Sequence, residues 1–128
     1  MQNTKNLVVA RHARELAVHV YHLTATFPST ERYSLTSQMR RAAISIGSNI
    51  AEGCGRRGTR ALVSFLYIAM GSASELEFQV GLARELELLA APSADSVIAE
   101  IVRLKRSLAK LIAALRRQGA GATAETTA

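Results

Sequence analysis

The sequence predicts an all-α fold, a bundle of four helices running antiparallel in up-down-up-down order. Three observations carry that prediction. Of the 128 residues 48% are apolar, only two are proline and 5% are aromatic, and the abundance of Ala, Leu, Arg and Glu favours helix over strand. Apolar residues recur at intervals of three and four in four separate segments. The connections between those segments are short, which makes consecutive helices neighbours. A chain of this length holds one domain, residues 1–118, around one core.

The first helix is expected over residues 7–25. Ala13, Leu16, Ala17, Val20 and Thr24 share a face with Tyr21 at its edge, and Phe27-Pro28 ends it, because the residue before proline is driven out of the α region. Residues 28–33 read as loop. Ser34 is placed to N-cap the second helix, residues 35–53, and Gly53 to stop it as a left-handed cap. Its apolar stripe is Met39, Ala42, Ala43, Ile46 and Ile50. The third helix, residues 59–90, has a coiled-coil-like seam of Leu62, Leu66, Ala69, Ala73, Leu76, Val80 and Ala83. Pro92 and Ser93 punctuate the next turn. The fourth helix, residues 94–117, repeats the four-three step with Val97, Ile101, Leu104, Leu108, Leu111 and Leu115. Residues 119–128 are small and polar and read as a disordered tail.

The third and fourth helices carry second apolar lines beside these seams: Phe65, Ile68, Leu82, Leu86 and Leu89, then Ile98, Val102, Ala109 and Ile112. Stripes wider than one bundle core requires point to homo-oligomerisation through these two helices.

A polar stripe runs along the second helix. Arg41, Ser45, Asn49, Glu52 and Arg56 step by fours and one three, where a generic surface helix carries Lys and Glu. Short hydrogen-bonding side chains bracketed by arginines suit a partly buried seam. Ser72, Glu75 and Gln79 share a face of the third helix and are placed to meet it. The expected result is a structural polar clamp of Arg41, Ser45, Asn49, Glu52, Ser72 and Glu75, with Arg41 holding the Glu75 carboxylate through two parallel hydrogen bonds.

Net charge is +6, unevenly spread. Residues 31–60 set six arginines against Glu31 and Glu52. Residues 61–92 set Arg84 against Glu75, Glu77, Glu85 and Glu87. Residues 93–118 set six cations against Asp95 and Glu100. Two basic segments thus flank an acidic one. Either the acidic helix neutralises its neighbours inside the fold, or the basic segments form a surface for nucleic acid. For such a surface Arg56, Arg57 and Arg60 are the leading candidates, followed by Lys105, Arg106, Lys110, Arg116 and Arg117.

Signals for catalysis are weak. Gly53-Cys54-Gly55-Arg56-Arg57-Gly58 matches G-x-G-x-x-G, but it follows a helix and not the strand a dinucleotide fingerprint needs, so it reads as a glycine-rich interhelical loop. Thr59-Arg60 opens the third helix, whose N-terminus attracts anions. His12, His19 and His22 lie near Glu15 with no H-E-x-x-H and no second ligand cluster, and are expected to be exposed. Cys54, the single cysteine, has no base beside it and rules out an internal disulfide. No serine sits in G-x-S-x-G. These absences predict no enzymatic activity, no metal and no cofactor. Residues 1–6 lack the apolar core of a signal peptide, and the apolar stretch 61–70 is interrupted by Ser64 and falls short of the roughly 20 residues of a bilayer span. The expectation is a cytoplasmic protein without a membrane partner.

One run is more specific than any of these. Val20-Tyr21, Phe27-Pro28, Glu31-Arg32-Tyr33 and Leu35 precede Gln38-x-Arg40-Arg41-Ala42. Ser45-Ile46-x-x-Asn49-Ile50-Ala51-Glu52-Gly53, Phe65-Leu66 and Gly71-Ser72-x-x-Glu75-Leu76 follow it. The chain resembles the bacterial four-helix-bundle proteins of the 23S rRNA intervening-sequence protein family over about residues 7 to 115. Members commonly carry a tryptophan where this chain has Val9-Ala10-Arg11. The resemblance implies a left-handed up-down bundle assembling as a ring-like homopentamer, and it prescribes no activity. The fold is also similar to basic pentameric accessory proteins of retroelements that bind nucleic acid and a reverse transcriptase, an analogy of fold alone. The partners expected are therefore further copies of the chain, RNA or DNA, or an unidentified protein that uses the bundle as a scaffold.

Overall fold

Four stripes of apolar residues, each on its own helix, have to find one another. In the computed structural model, which describes the backbone of residues 4–127 and the side chains of residues 4–119, they do so in four helices: α1 (Thr4–Thr24), α2 (Leu35–Gly55), α3 (Thr59–Glu85) and α4 (Ala91–Thr127). A 3-10 turn, Ser29–Glu31, lies between α1 and α2, and no strand occurs among the described residues. Each of α1 and α3 packs against both α2 and α4, so the four stripes share one core. Leu16, Val20, Met39, Ile46, Ile50, Leu66, Leu76, Val80, Val97, Ile101, Leu104 and Leu108 are its fully buried large side chains. Burying each contributes about 1.5–3 kcal/mol.

The ends of the helices differ from expectation for local reasons. Ser34 occupies the N-cap of α2, but its side chain makes no cap bond. Its φ of −124° and ψ of −111° lie outside the β-region conformation usual for an N-cap residue, although its carbonyl accepts the ordinary first bond of the helix from Gln38 N–H at 3.0 Å. Gly53 is not a left-handed stop. It is helical and buried, and α2 runs on to Gly55. What Gly53 provides is close approach: a Cβ there would sit 2.9 Å from Phe65 Cβ and 3.3 Å from the Leu62 carbonyl oxygen.

α3 ends at Glu85, short of the predicted 90, in a Schellman motif. Leu88 N–H bonds to the Ala83 carbonyl at 2.9 Å and Glu87 N–H to the Arg84 carbonyl at 3.0 Å, with Glu87 at a φ of +62°. Leaving the helix here turns Leu89 into the core. α4 starts at Ala91 and not at 94, because Pro92 falls in the first turn, where a missing N–H costs nothing. Its backbone continues through the expected tail to Thr127. That stretch is alanine-rich and contains no proline, and extending an existing helix is far easier than nucleating one. Ala128 lies outside the described residues.

The second apolar lines divide. Leu89 and Ile112 are buried, and Phe65, Leu82, Ile98 and Val102 are half-buried, so they broaden the core. Ile68 and Leu86 stay exposed, as do Tyr67 and Phe78, the latter at 71%. By length and composition alone α3 is apolar enough to cross a membrane, with a mean hydropathy of 1.2 over its best window. In this fold its seam is occupied by α2 and α4.

Candidate nucleic-acid interface

The α2–α3 turn builds the first part of a basic surface. Gly58, at a φ of +86°, reverses the chain between Arg57 and Thr59. Arg56 is held: its Nε and Nη2 donate to Glu52 Oε1 at 3.2 and 2.6 Å, and its guanidinium lies 5.5 Å from the centre of the Phe65 ring. That exposed pair, one turn apart, adds little stability and lowers the charge of the three-arginine turn from +3 to +2. Arg57 and Arg60 are exposed and form no ion pair among the described residues.

Cross-helix contacts bring two further segments to the same end. Arg116 Nη1 donates to the Tyr67 hydroxyl at 2.8 Å, tying the late part of α4 to the early part of α3. Lys5 and Thr4 line one shallow cleft with Ser107, Lys110 and Leu111, and another with Ala114, Leu115 and Gln118. Lys5, Arg56, Arg57, Arg60, Lys110, Arg116 and Arg117 therefore gather at one end of the bundle. Glu52 is the only carboxylate on the described stretches 4–8, 52–60 and 110–119. The other end mixes charges: Glu31, Glu85, Glu87 and Asp95 lie there with Arg32, Arg40, Arg41 and Arg84, the last bonded to Asp95 at 2.9 Å. Lys5 stands apart from the other cations in the sequence. The signal was available in the pairing of helices, because an early residue of α1 must lie beside late residues of α4 if the two run in opposite directions.

Two of the sequence-derived candidates lie elsewhere. Lys105 is half-buried on the side of the bundle, with Nζ 3.1 Å from Glu77 Oε1. Arg106, beside it in α4, is exposed.

The polar clamp is smaller than its six residues suggest. Ser45 Oγ and Ser72 Oγ share a hydrogen bond at 2.8 Å, and Asn49 Nδ2 donates to the Ser45 carbonyl at 2.8 Å and to Ser45 Oγ at 3.1 Å. Glu52 serves Arg56 instead. Arg41 and Glu75 are both exposed, with no hydrogen bond between them, so the two parallel arginine–carboxylate bonds are not made within the chain.

His19 is not simply exposed. Its Nδ1 lies 2.7 Å from Glu100 Oε2, joining α1 to α4. No group of three or more His, Cys, Asp or Glu residues is arranged to hold a metal among the described residues. Cys54 sits in the last turn of α2, half-buried, and burial pushes its thiol up from the ordinary range.

An all-α chain of four helices, basic at one end, is thus the class that fold and site define. The chain belongs to the 23S rRNA-intervening sequence protein family, whose sequence model matches residues 5–110. Its fold is shared with a solved protein of unknown function from the S23 ribosomal protein family of Bacteroides thetaiotaomicron. That protein is 24% identical with a TM-score of 0.79, and the match covers 85% of this chain and 98% of the other. No curated protein matches the sequence.

Proposed function

We propose that the protein is a non-enzymatic, homo-oligomeric helical bundle of the cytoplasm that binds RNA or DNA through its basic end. The observation that carries this reading is the convergence of seven cations and one carboxylate from three separate stretches of chain. Such a surface attracts phosphates without regard to sequence, and binding weakens steeply with salt as counterions are released. A lone, half-buried thiol suits a reducing compartment.

The bundle runs up-down-up-down and left-handed. Support comes from contacts between early residues of one helix and late residues of its neighbour, as in Tyr67 with Arg116, and from four-three seams on α3 and α4, a spacing that favours left-handed coiling. Copies associate through the outer face of α3 as a pentamer, the assembly that the family resemblance implies. Residues 61–74 contain no charge, and Tyr67, Ile68 and Phe78 are exposed on that helix. A ring repeats the basic end and multiplies its avidity, so modest charge per chain suffices. The same α3 face favours a second reading, a scaffold for another protein with no role for nucleic acid. A single protein partner retained through nuclease and high salt would select it.

Light scattering with a salt-titrated nucleic-acid shift assay tests the proposal. The wild-type protein is expected to be oligomeric and to bind at low salt, with a slope of log affinity against log salt near −0.9 for each duplex phosphate neutralised. Replacing Arg56, Arg57 and Arg60 together by Ala should flatten that slope and leave the oligomer intact, while Lys105→Ala should change neither. Absence of affinity for RNA and DNA at low salt would overturn the reading.

A further inference from the structure

The opposite end of the bundle holds a second cationic feature that the basic end does not explain. Beside the first turn of α2 lies a cleft of about 460 Å³ lined by Tyr21, Arg32, Tyr33, Thr36, Arg40 and Arg41, together with Ser37 and Ile44. A smaller cleft of about 260 Å³ adjoins it, and Arg32, Thr36 and Arg40 line both. No carboxylate lines either one, although Glu31 is the neighbour of Arg32 in the chain.

Three features of this cleft suit an anion, and they come from different kinds of observation. The first is the helix. α2 is 21 residues long, Ser34 does not cap it and its first turn contains no acid, so the leading N–H groups lack both an intrahelical acceptor and a side-chain one. The second is Thr36, which is 9% exposed and whose Oγ1 has no hydrogen-bond partner among the described residues. A buried hydroxyl without a partner is uncommon, because its desolvation is uncompensated. The third is charge. Arg32 and Arg41 form no ion pair among the described residues. Arg40 is fixed across the end of α1, with Nε donating to Thr24 Oγ1 at 2.8 Å and Nη2 to the Tyr21 carbonyl at 3.4 Å, so its charge is held beside the cleft.

The tyrosines narrow the ligand. Tyr33 is 88% exposed, and Tyr21 has the Arg40 guanidinium 4.4 Å from its ring centre. An exposed phenol ring next to a cationic cleft offers a stacking surface for a planar ring linked to the anion. A bare inorganic anion would leave Tyr33 unused.

We propose that this cleft is a binding site for a nucleoside 5′-phosphate. The phosphate sits between Arg32, Arg41 and the first turn of α2, rotation of the Thr36 side chain brings its buried hydroxyl to the phosphate, and the base lies against Tyr33. The chemistry is the same whether the group is a free nucleotide or the 5′ end of an RNA or DNA strand.

Calorimetric titration of the full chain tests this, with AMP, inorganic phosphate and adenosine as probes. AMP is expected to bind most tightly, and the R32A/R41A double variant to weaken it by about tenfold or more, the scale of one lost charge-assisted contact. Thr36→Val keeps the shape and removes the hydroxyl. It is expected to weaken AMP binding while raising the thermal midpoint, so lost binding cannot be ascribed to lost folding. Short single strands with and without a 5′-phosphate, titrated against the Arg56/Arg57/Arg60 triple alanine variant, separate the two sources. A preference for the phosphorylated strand at least as strong as for AMP assigns the site to strand ends, and a weaker one assigns it to free nucleotide. No saturable AMP binding, or AMP binding unchanged in R32A/R41A, would overturn the proposal. Because these arms do not depend on the basic end, they can fail while the nucleic-acid reading stands, and the reverse.

Discussion

The two turns that bracket α3 solve one problem with different residues. At its start Gly58 reverses the chain at a φ of +86°. At its end Glu87 does so at +62°, a region that side chains other than Gly, Asn and Asp rarely adopt. The first turn carries arginines and lies at the basic end of the bundle; the second carries glutamates and lies at the opposite end, where arginines and carboxylates are mixed. A glycine turn announces itself in sequence. A glutamate turn does not, and the predicted helix overran it by five residues.

The largest effect should come from the close approach beside the first turn. Gly53→Ala places a Cβ 2.9 Å from Phe65 Cβ and 3.3 Å from the backbone oxygen of Leu62, and backbone cannot simply swing away. Overpacking of this kind costs about 3 kcal/mol. Alanine returns about 1 kcal/mol of helix propensity. The net loss of about 2 kcal/mol should lower the thermal midpoint by roughly 8 °C for a chain of this size. Gly47→Ala is the matching control, since its Cβ would meet only Ala13 Cβ at an ordinary 3.7 Å. It should raise stability by up to about 1 kcal/mol. If both variants behave alike, helix propensity and not the α2–α3 contact governs this region.

Gly58→Ala should come next. Nothing lies within 4 Å of the Cβ position, so any cost is backbone strain alone, about 1–3 kcal/mol for a conformation with φ near +86° and ψ near +149°. Gly58→Asn should not rescue it, because asparagine tolerates the left-handed helical region and not this more extended one. Thermal unfolding of the two variants decides the point, and a neutral Asn variant would show that the turn relaxes.

These contrasts also show what could be read in advance. The seams of α3 and α4 were fully legible, because every residue of each four-three step, from Leu62 to Ala83 and from Val97 to Leu115, is buried as the period requires. Helix ends were less so. Gly53 looked like a cap because a glycine after an apolar run usually is one, yet the close packing of Leu62 and Phe65 used it differently. At the candidate interface Arg56, Arg57 and Arg60 stood out as a cluster, while Lys5 became relevant only once α1 lay beside α4. Its spacing with Ser45 places Arg41 in a seam. Spacing alone cannot say whether a long side chain turns inward, and this one lines a cleft with Arg32 and Tyr33.

The smallest effect is the most diagnostic for the two turns. Glu87→Gly should stabilise the protein by about 0.5–1 kcal/mol, since relief of left-handed strain exceeds the added freedom of the unfolded chain. The thermal midpoint should rise by roughly 2–4 °C. The Schellman bonds from Leu88 to Ala83 and from Glu87 to Arg84 use only main chain, so they survive the change. Glu87→Asn should gain about half as much, and Glu87→Ala, which removes charge and keeps the Cβ, should gain almost nothing. That last variant separates two explanations. If Glu87→Ala stabilises as much as Glu87→Gly, then crowding of negative charge near Glu85, and not the sign of φ, is what the second turn tolerates. The two turns would then differ in electrostatics and not in backbone geometry.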